Sequence, residues 1–541
     1  MNIRDTFVNI IIFLTAFLIF VIDVIYYISK AEFLGKFGVY VWYFSYLFFI
    51  VYAFFSLFNI FKISFKIKSF ISFFSLLFII FIVLLNTVNP KNVSGETTVE
   101  TTCAINHLLF SPDLGFWKTC LYGYPARQYY LSVAPSLLFG RNLFALNFGG
   151  SFYFLIGLPI FVYGLWFLLP HKKTFDYLIG AILISFFHLN SFNFLMFQYE
   201  QSIFPFSMTL MAGGLSLTYF YTKKKSALLL IWLLMLYLIY SYTTSLFSLS
   251  LLFLFLLVII FVEKNKWFKI FIFISVIINL FFSFQLRNDL NIFDGTVRNL
   301  NLVNKDILDT FIHIFFQNKG IAFVSPVFNF ILLFFLFGSL FLAFGIEYAL
   351  IGLWIALVIL FSIISKGYSY YGIDFRLNRS IVIFPVLFIL IANLIKNFIQ
   401  SVSGREKHIW PVIIFIFLFL FGTGYCYQYS YIQSKSISKH YQFIEWLNKQ
   451  TMNKKNSIFL FDSDQEIDYA SINDSFQYFL PRTESRIVKE DCKLYSNLNK
   501  NIFLLTQNIN DSDCKKYFNK IVSIKEYKTE DKNLNFYQLS K

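Results

Sequence analysis

The chain has 541 residues, of which 57% are hydrophobic and only 14% charged, against about 25% charged in ordinary globular proteins. With a mean hydropathy of +0.64 it cannot clothe a water-facing surface, which excludes a string of soluble domains. The net charge of +15 points to no nucleic-acid partner, because the basic residues cluster beside apolar runs in the positive-inside pattern. Those runs come near the roughly 20 residues that a helix needs to cross a bilayer. They are too long for the alternating strands of a membrane barrel. The chain therefore reads as a polytopic α-helical membrane protein with the lipid bilayer as its main partner.

The first run, Phe7 to Ile28, follows Arg4 and lacks a small-residue cleavage site, so it reads as an uncleaved span with the amino terminus inside. Runs at Val39 to Phe61 and Phe70 to Leu85 enclose Lys62, Lys66 and Lys68, which mark a cytoplasmic turn. Residues 86–150 mix polar and apolar types and carry Glu96, Glu100, Asp113, Arg127 and Arg141. This large outer loop is where chemistry is expected. Spans follow at Ser151 to Leu169, Phe175 to Phe192 and Phe204 to Tyr221, then as a pair between Ser226 and Val262, and at Trp267 to Phe284. The pair must turn near Tyr242-Thr243-Thr244 if Lys223-Lys224-Lys225 and the cluster Lys264, Lys266 and Lys269 are both to stay inside with His171-Lys172-Lys173.

A second outer loop, Gln285 to Pro326, precedes two spans around Gly345-Ile346-Glu347, and a third loop holds Arg376 and Arg379. Spans at Ser380 to Ile395 and Ile409 to Gly424 complete about thirteen crossings. Residues 1–427 are thus expected to form a transmembrane domain of the cytoplasmic (inner) membrane, with the carboxyl terminus outside. Asp23, inside the first span, is too costly to face lipid and is expected against another helix or near the outer interface.

Residues 428–541 turn polar and densely charged, as expected for a small extracytoplasmic soluble α/β domain. Residues 439–449 have the helical spacing of Tyr441, Ile444 and Leu447, while 457–462, 501–506 and 520–524 read as strands, the last two separated by a polar helical stretch. The cysteines sort by topology: Cys103 and Cys120 share the first loop, Cys492 and Cys514 share the soluble domain, and Cys426 stands alone. Each pair faces an oxidising compartment and is a disulfide candidate, with unpaired small hydrophobes as the alternative. No cysteine has the close Cys or His spacing of a zinc site, and His107 and His188 read as packing or hydrogen-bonding residues. Asp462-Ser463-Asp464 follows a strand and reads as a turn.

The first outer loop resembles a known family. Gly95-Glu96-Thr97-Thr98-Val99-Glu100, continuing as an amphipathic helix to Phe110, is similar to the opening of the first periplasmic loop of GT-C glycosyltransferases. Tyr122 to Leu146, a Pro and aromatic cluster followed by an apolar helix, Phe-Gly and Ala-Leu, resembles the stretch that follows it in the family. Gln198-Tyr199-Glu200 resembles the acidic position on the next outer loop, and Arg379-Ser-Ile-Val-Ile-Phe-Pro385 the Arg-to-Pro signature of a late span. The relatives meant are the protein O-mannosyltransferase and aminoarabinose transferase type. Two features depart from the pattern: two extra spans precede the loop, and the usual Asp-Glu pair is reduced to Glu96, with Glu100 one turn later.

The resemblance implies inverting transfer of a sugar from a polyprenyl-phosphate donor to a glycolipid, polysaccharide or protein acceptor on the outer face. Such a donor needs no nucleotide fold, consistent with the absence of Rossmann and P-loop fingerprints. Glu96 or Glu100 would be the general base, with Glu200 in support. Arg376, Arg379 and Arg127 would hold the donor phosphate. As residues alone, the two carboxylates also fit solvated loop charges, and Arg376 and Arg379 fit interfacial anchors. No cofactor is called for, with a divalent metal left open. A polysaccharide polymerase or ligase is the other enzyme class, though its key loop usually lies late in the chain. A transporter would carry more intramembrane charge and repeated halves.

Overall fold

A computed structural model describes residues 3–88, 92–93, 95–110, 130–189, 203–241, 245–263, 266–288, 382–401, 406–435, 457–461, 483–487, 492–506, 508–528 and 533–540. Single positions between them, including 116, 117, 120, 127, 192, 198, 199, 354 and 478–480, are described as well. The membrane part opens with α1 (Ile3–Ser29), α2 (Leu34–Lys66) and α3 (Ile71–Val88). The outer loop contributes β1 (Asn92–Val93), α4 (Gly95–Phe110) and α5 (Tyr130–Phe139). There follow α6 (Leu143–Leu168), α7 (Lys173–Ile184), β2 (Gln198–Tyr199), α8 (Ile203–Thr222), α9 (Lys225–Ile239), α10 (Ser245–Val262) and α11 (Trp267–Asn288). Later in the chain come α12 (Ile383–Ser401) and α13 (Glu406–Lys435). Each expected span within the described residues is helical, the one expected from Phe175 being α7 followed by a 3-10 turn, Ser185–His188. The two spans expected around Gly345 lie outside them, and α13 continues well past the expected end at Gly424.

Burial separates centre from rim. In α6 and α8, 78% and 83% of the apolar stretch is buried, against 33% in α1, α3 and α10. The central pair is apolar on all sides, as a helix surrounded by protein must be. The two approach so closely that a Cβ on Gly164 would lie 2.6 Å from Gly214, and one on Gly157 would lie 2.7 Å from the Ser207 carbonyl oxygen. Small residues permit this contact, which supplies the dispersion energy that lipid-exposed apolar faces cannot supply among themselves. On the rim, Phe54, Phe65, Phe74 and Phe261 are largely exposed, a face that only hydrocarbon tolerates.

Two carboxylates, the buried Asp176 and the half-buried Glu263, gather the lysine-rich turns at one end of the bundle. Asp176, in the first turn of α7, accepts from the backbone N–H groups of Ile71 (2.7 Å) and Ser72 (3.1 Å) and from the Ser69 hydroxyl (2.5 Å) and the Ser72 hydroxyl. It thus satisfies the free amides at the start of α3 from another helix. The turns holding Lys62 to Lys68 and His171 to Lys173 therefore lie on the same side. At the second cluster Glu263 accepts from Lys223 (2.8 Å), Lys269 (2.7 Å) and Tyr219 (3.0 Å). This joins the α8–α9 turn to the α10–α11 turn, so residues 225–262 go out and back as two helices.

Beyond α13 lies a five-stranded sheet in the order β4-β3-β5-β7-β6, with β3 (Ser457–Phe461), β4 (Thr483–Ile487), β5 (Asn501–Thr506), β6 (Lys520–Lys528) and β7 (Asn533–Ser540). β3 runs parallel to both neighbours, and β7 antiparallel to β5 and β6. Alternation places Phe459, Phe503, Leu505 and Phe536 on one face with Ile444 and Leu447. Ile458, Leu460, Ile502, Leu504 and Leu539 occupy the other with Cys492 and Cys514. Covering both faces explains why β3 and β5 read as continuous apolar runs. β4 and β7 were not among the strands expected, since both are rich in polar residues. The polar stretch before β6 forms two short 3-10 turns, Ile509–Asp511 and Asp513–Lys516, in place of a helix.

Burial pushes the Glu263 carboxyl up, but hydrogen bonds from Lys223, Lys269 and Tyr219 outweigh it and hold the group below its ordinary value of 4.5. A carboxylate whose pKa falls on folding stabilises the native state above the unfolded value, and that contribution is lost as pH falls through the folded one. Glu263→Gln should therefore lower the thermal midpoint of the purified protein at neutral pH. The gap to the parent should narrow as pH falls below the ordinary carboxylate range, through the lowered folded value. A gap of constant size across that range would show that the carboxylate charge is not what joins the turns.

Candidate functional site

The first large loop is organised around α4. Gly95 opens the helix and Glu96 stands in its first turn, where the helix dipole favours an acid. Glu100, one turn on, shares a helix face with it by spacing. Glu100 is fully buried, among the buried Thr98, Thr101, Thr102, Ala104 and Ile105. Just before the helix, β1 pairs in parallel with β2, Asn92 against Gln198 and Val93 against Tyr199. The two acidic loop segments singled out in the sequence are thereby brought together. Glu200 itself follows β2 and lies outside the described residues, as do Arg376 and Arg379. Of the Arg-to-Pro signature, Pro385 falls in the first turn of α12, where a missing N–H costs nothing.

Cys103, on α4, is joined to Cys120 with Cα atoms 5.8 Å apart, and Cys492 to Cys514 at 5.1 Å. Cys426 is free and buried. His107 stands one turn beyond Cys103, and donor atoms of Cys103, His107 and Cys120 lie within 4.8 Å of one another. Cys103 and His107 stand only four residues apart in the sequence, but spacing hides the third member of this trio, because Cys120 arrives from the far end of the loop. Its sulfurs are spent on each other, and a disulfide sulfur is not the thiolate that zinc binds.

No family model matches the chain, and no curated protein matches it in sequence. Solved structures do. ArnT from Cupriavidus metallidurans, bound to undecaprenyl phosphate and in the apo state, superposes with a TM-score of 0.52 at 10% identity. The match covers 85% of this chain and 97% of that one. The chain has a GT-C-like membrane fold. Nearly all of ArnT has a counterpart here, and this chain has more besides.

Within this GT-C-like fold the structure corrects the expectation for Arg127. Its guanidinium is 1% exposed and bonds Asp23 of α1 through both terminal nitrogens, at 2.7 and 3.2 Å, while Nε donates to the Phe116 carbonyl at 2.8 Å. Aromatic rings enclose it, Phe116 at 3.7 Å, Tyr240 at 4.0 Å, Trp117 at 5.2 Å and Trp42 at 5.4 Å. A buried arginine whose three nitrogens each already hold a partner, with rings packed on its faces, is committed to Asp23 rather than to a phosphate. The signal for this partnership was Asp23, whose charge inside a span demanded a counter-ion.

A further contact links the loop to the C-terminal sheet unit. The Tyr478 hydroxyl meets Ser136 of α5 at 2.8 Å and the Asn142 carbonyl at 3.3 Å. Asn142 itself caps α6 by accepting from the Ala145 N–H at 2.9 Å. Burial raises the Tyr478 hydroxyl to about 12, so it stays protonated and able to donate. Burial likewise lowers the neighbouring Arg141, against a smaller opposing effect of Tyr478.

Removing one member of a buried ion pair leaves a buried charge uncompensated, at a cost of about 3 to 5 kcal/mol, whereas replacing both with apolar groups is far milder. Asp23→Asn should therefore destabilise the protein more than the double change Asp23→Leu with Arg127→Met. Thermal midpoints in detergent decide this, and equal losses in the two proteins would show that the ion pair is not the source of the effect.

Proposed function

We propose that the protein transfers a sugar from a polyprenyl-phosphate donor to an acceptor on the outer face of the membrane, with inversion at the anomeric carbon. The observation that carries this reading is the ArnT-like fold over most of the chain, whose relative was solved with undecaprenyl phosphate. The paired loop segments 92–93 and 198–199 support it, because they bring the start of the acidic helix that follows to the neighbouring loop. The cytoplasmic membrane is the proposed location, with the lysine-rich turns inside.

Glu96 is assigned the general base. An acceptor hydroxyl must lose its proton as it attacks, and a carboxylate at the start of a loop helix serves for this. Glu100 is fully buried, which suits it to holding α4 in place rather than meeting an acceptor. Glu200, next to Tyr199, is assigned to orienting the acceptor or the base. Arg376 and Arg379 are assigned to the donor phosphate, whose negative charge grows as the bond to the sugar breaks. No metal enters the proposal. The chain's own groups bind and orient donor and acceptor and take the proton of the acceptor hydroxyl, while the lipid phosphate leaves from the anomeric carbon.

Purified protein incubated with a lipid-linked sugar and an acceptor extract should release polyprenyl phosphate, which a transporter would not do. Glu96→Gln should lower turnover by about 10² to 10⁴ with little change in donor binding, the usual cost of losing a general base. Arg379→Ala should weaken donor binding and turnover together, since the phosphate is present in both the ground state and the transition state. Wild-type turnover in Glu96→Gln with a collapse in Glu100→Gln would move the base to Glu100. Wild-type turnover in both would remove the loop from the chemistry.

A further inference from the structure

The first two of the three spans that precede the loop, α1 and α2, are packed against it by a specific set of groups. Phe116 lies over Gly38 of α2 so closely that a Cβ there would stand 2.7 Å from its ring. The same ring meets Trp42 edge-on, with centroids 6.1 Å apart. Trp117 stands edge-on to Tyr26 of α1 at 4.2 Å. Between these two aromatic contacts sits Arg127, bonded to Asp23 and to the Phe116 carbonyl. Tyr240, at the end of α9, closes the cage and donates to Asn279 of α11 at 3.1 Å. The receiving residues, Asp23, Tyr26, Gly38 and Trp42, thus come from the N-terminal helix pair, and the received ones, Phe116, Trp117 and Arg127, from the loop.

We propose that the N-terminal helix pair is a positioning clamp for the outer loop and that Arg127 is its central positioning residue. The Cys103–Cys120 bridge carries the constraint onward. Cys120 lies three residues after Trp117, and Cys103 is on α4 between Glu100 and His107. Fixing Phe116 and Trp117 therefore fixes the middle of the helix whose start carries Glu96. β1, paired to β2, holds the other end of that helix. The role in catalysis rests on the glycosyltransferase reading above, whereas the clamp as a mechanical device does not. A clamp suits such a loop because a displacement of about 1 Å at a reacting group can cost on the order of 10²-fold in rate. Groups outside the membrane cannot rely on lipid to hold them.

The test uses the full-length protein in lipid nanodiscs, with backbone hydrogen exchange and turnover measured on the same samples. Arg127→Lys keeps the charge but loses the forked geometry and the bond to the Phe116 carbonyl. Gly38→Val leaves the ion pair intact and obstructs the Phe116 seat instead. In both, exchange across residues 95–127 should rise at least ~tenfold while α9 exchanges as in the parent. Turnover should fall ~10- to 100-fold with the donor KM unchanged. In Cys103→Ser with Cys120→Ser, exchange should rise in 95–110 while the amides of Phe116, Trp117 and Arg127 exchange as in the parent. Parental exchange in both Arg127→Lys and Gly38→Val overturns the clamp, as does a rise of equal size in α9. Parental turnover despite a loosened loop overturns its positioning role. If 95–110 stays protected without the bridge, the bridge is not the transmitting element. Should the parent release no polyprenyl phosphate from any lipid-linked donor, the glycosyltransferase reading fails, and the exchange measurements alone decide the clamp.

Discussion

The geometry of the outer loop depends on one buried ion pair, Asp23 with Arg127. A carboxylate in a membrane span and a guanidinium with no access to water are each prohibitive alone. Together, with the Phe116 carbonyl and four aromatic rings completing the coordination, they form the point at which the loop and the first helix become one structure. The pair tolerates little displacement, because a guanidinium fork has only one arrangement that satisfies a carboxylate through two bonds.

The opposite end of the bundle uses the same chemistry for another purpose. Asp176 and Glu263 each draw in groups from a different connection, Asp176 the amides and hydroxyls at the start of α3, Glu263 the side chains of Lys223 and Lys269. Carboxylates therefore organise both ends, but their partners differ. At one end amides, hydroxyls and lysines join connections to one another; at the other an encased arginine joins a loop to a helix. The central α6–α8 crossing, made by glycines with no charge at all, supplies the axis around which the two ends are arranged.

The C-terminal sheet unit meets the membrane part on the same side as the outer loop, through Tyr478. Its hydroxyl reaches both the helix that follows the acidic segment and the cap of α6. Phe479, beside it, packs against the membrane core and against one face of the sheet. The acidic helix α4 thus belongs to a loop held at four places, by the N-terminal helices, its own disulfide, the strand pair with the next loop, and the sheet unit behind it.

Most of the helix placement was legible in the sequence, and for a simple reason. A span in lipid must satisfy its own backbone and show an apolar exterior, so hydropathy and length locate it without knowledge of its neighbours. Lysine placement also implied the tight hairpin of α9 and α10, which the Glu263 cluster then displayed. The cysteine pairs were legible as candidates because each pair shares a compartment. What the sequence could not decide was which polar groups meet across long separations. Arg127 reads as a loop arginine facing water or phosphate until the fold brings Asp23, 104 residues earlier, against it. The same holds for Cys120 beside His107, for Tyr478 on Ser136, and for β4 and β7, whose polar strands take their place from the partners they pair with. Local composition sets what each segment can tolerate, but only tertiary structure sets its partner, because the free energy of a buried charge or an edge strand is determined by what lies opposite it.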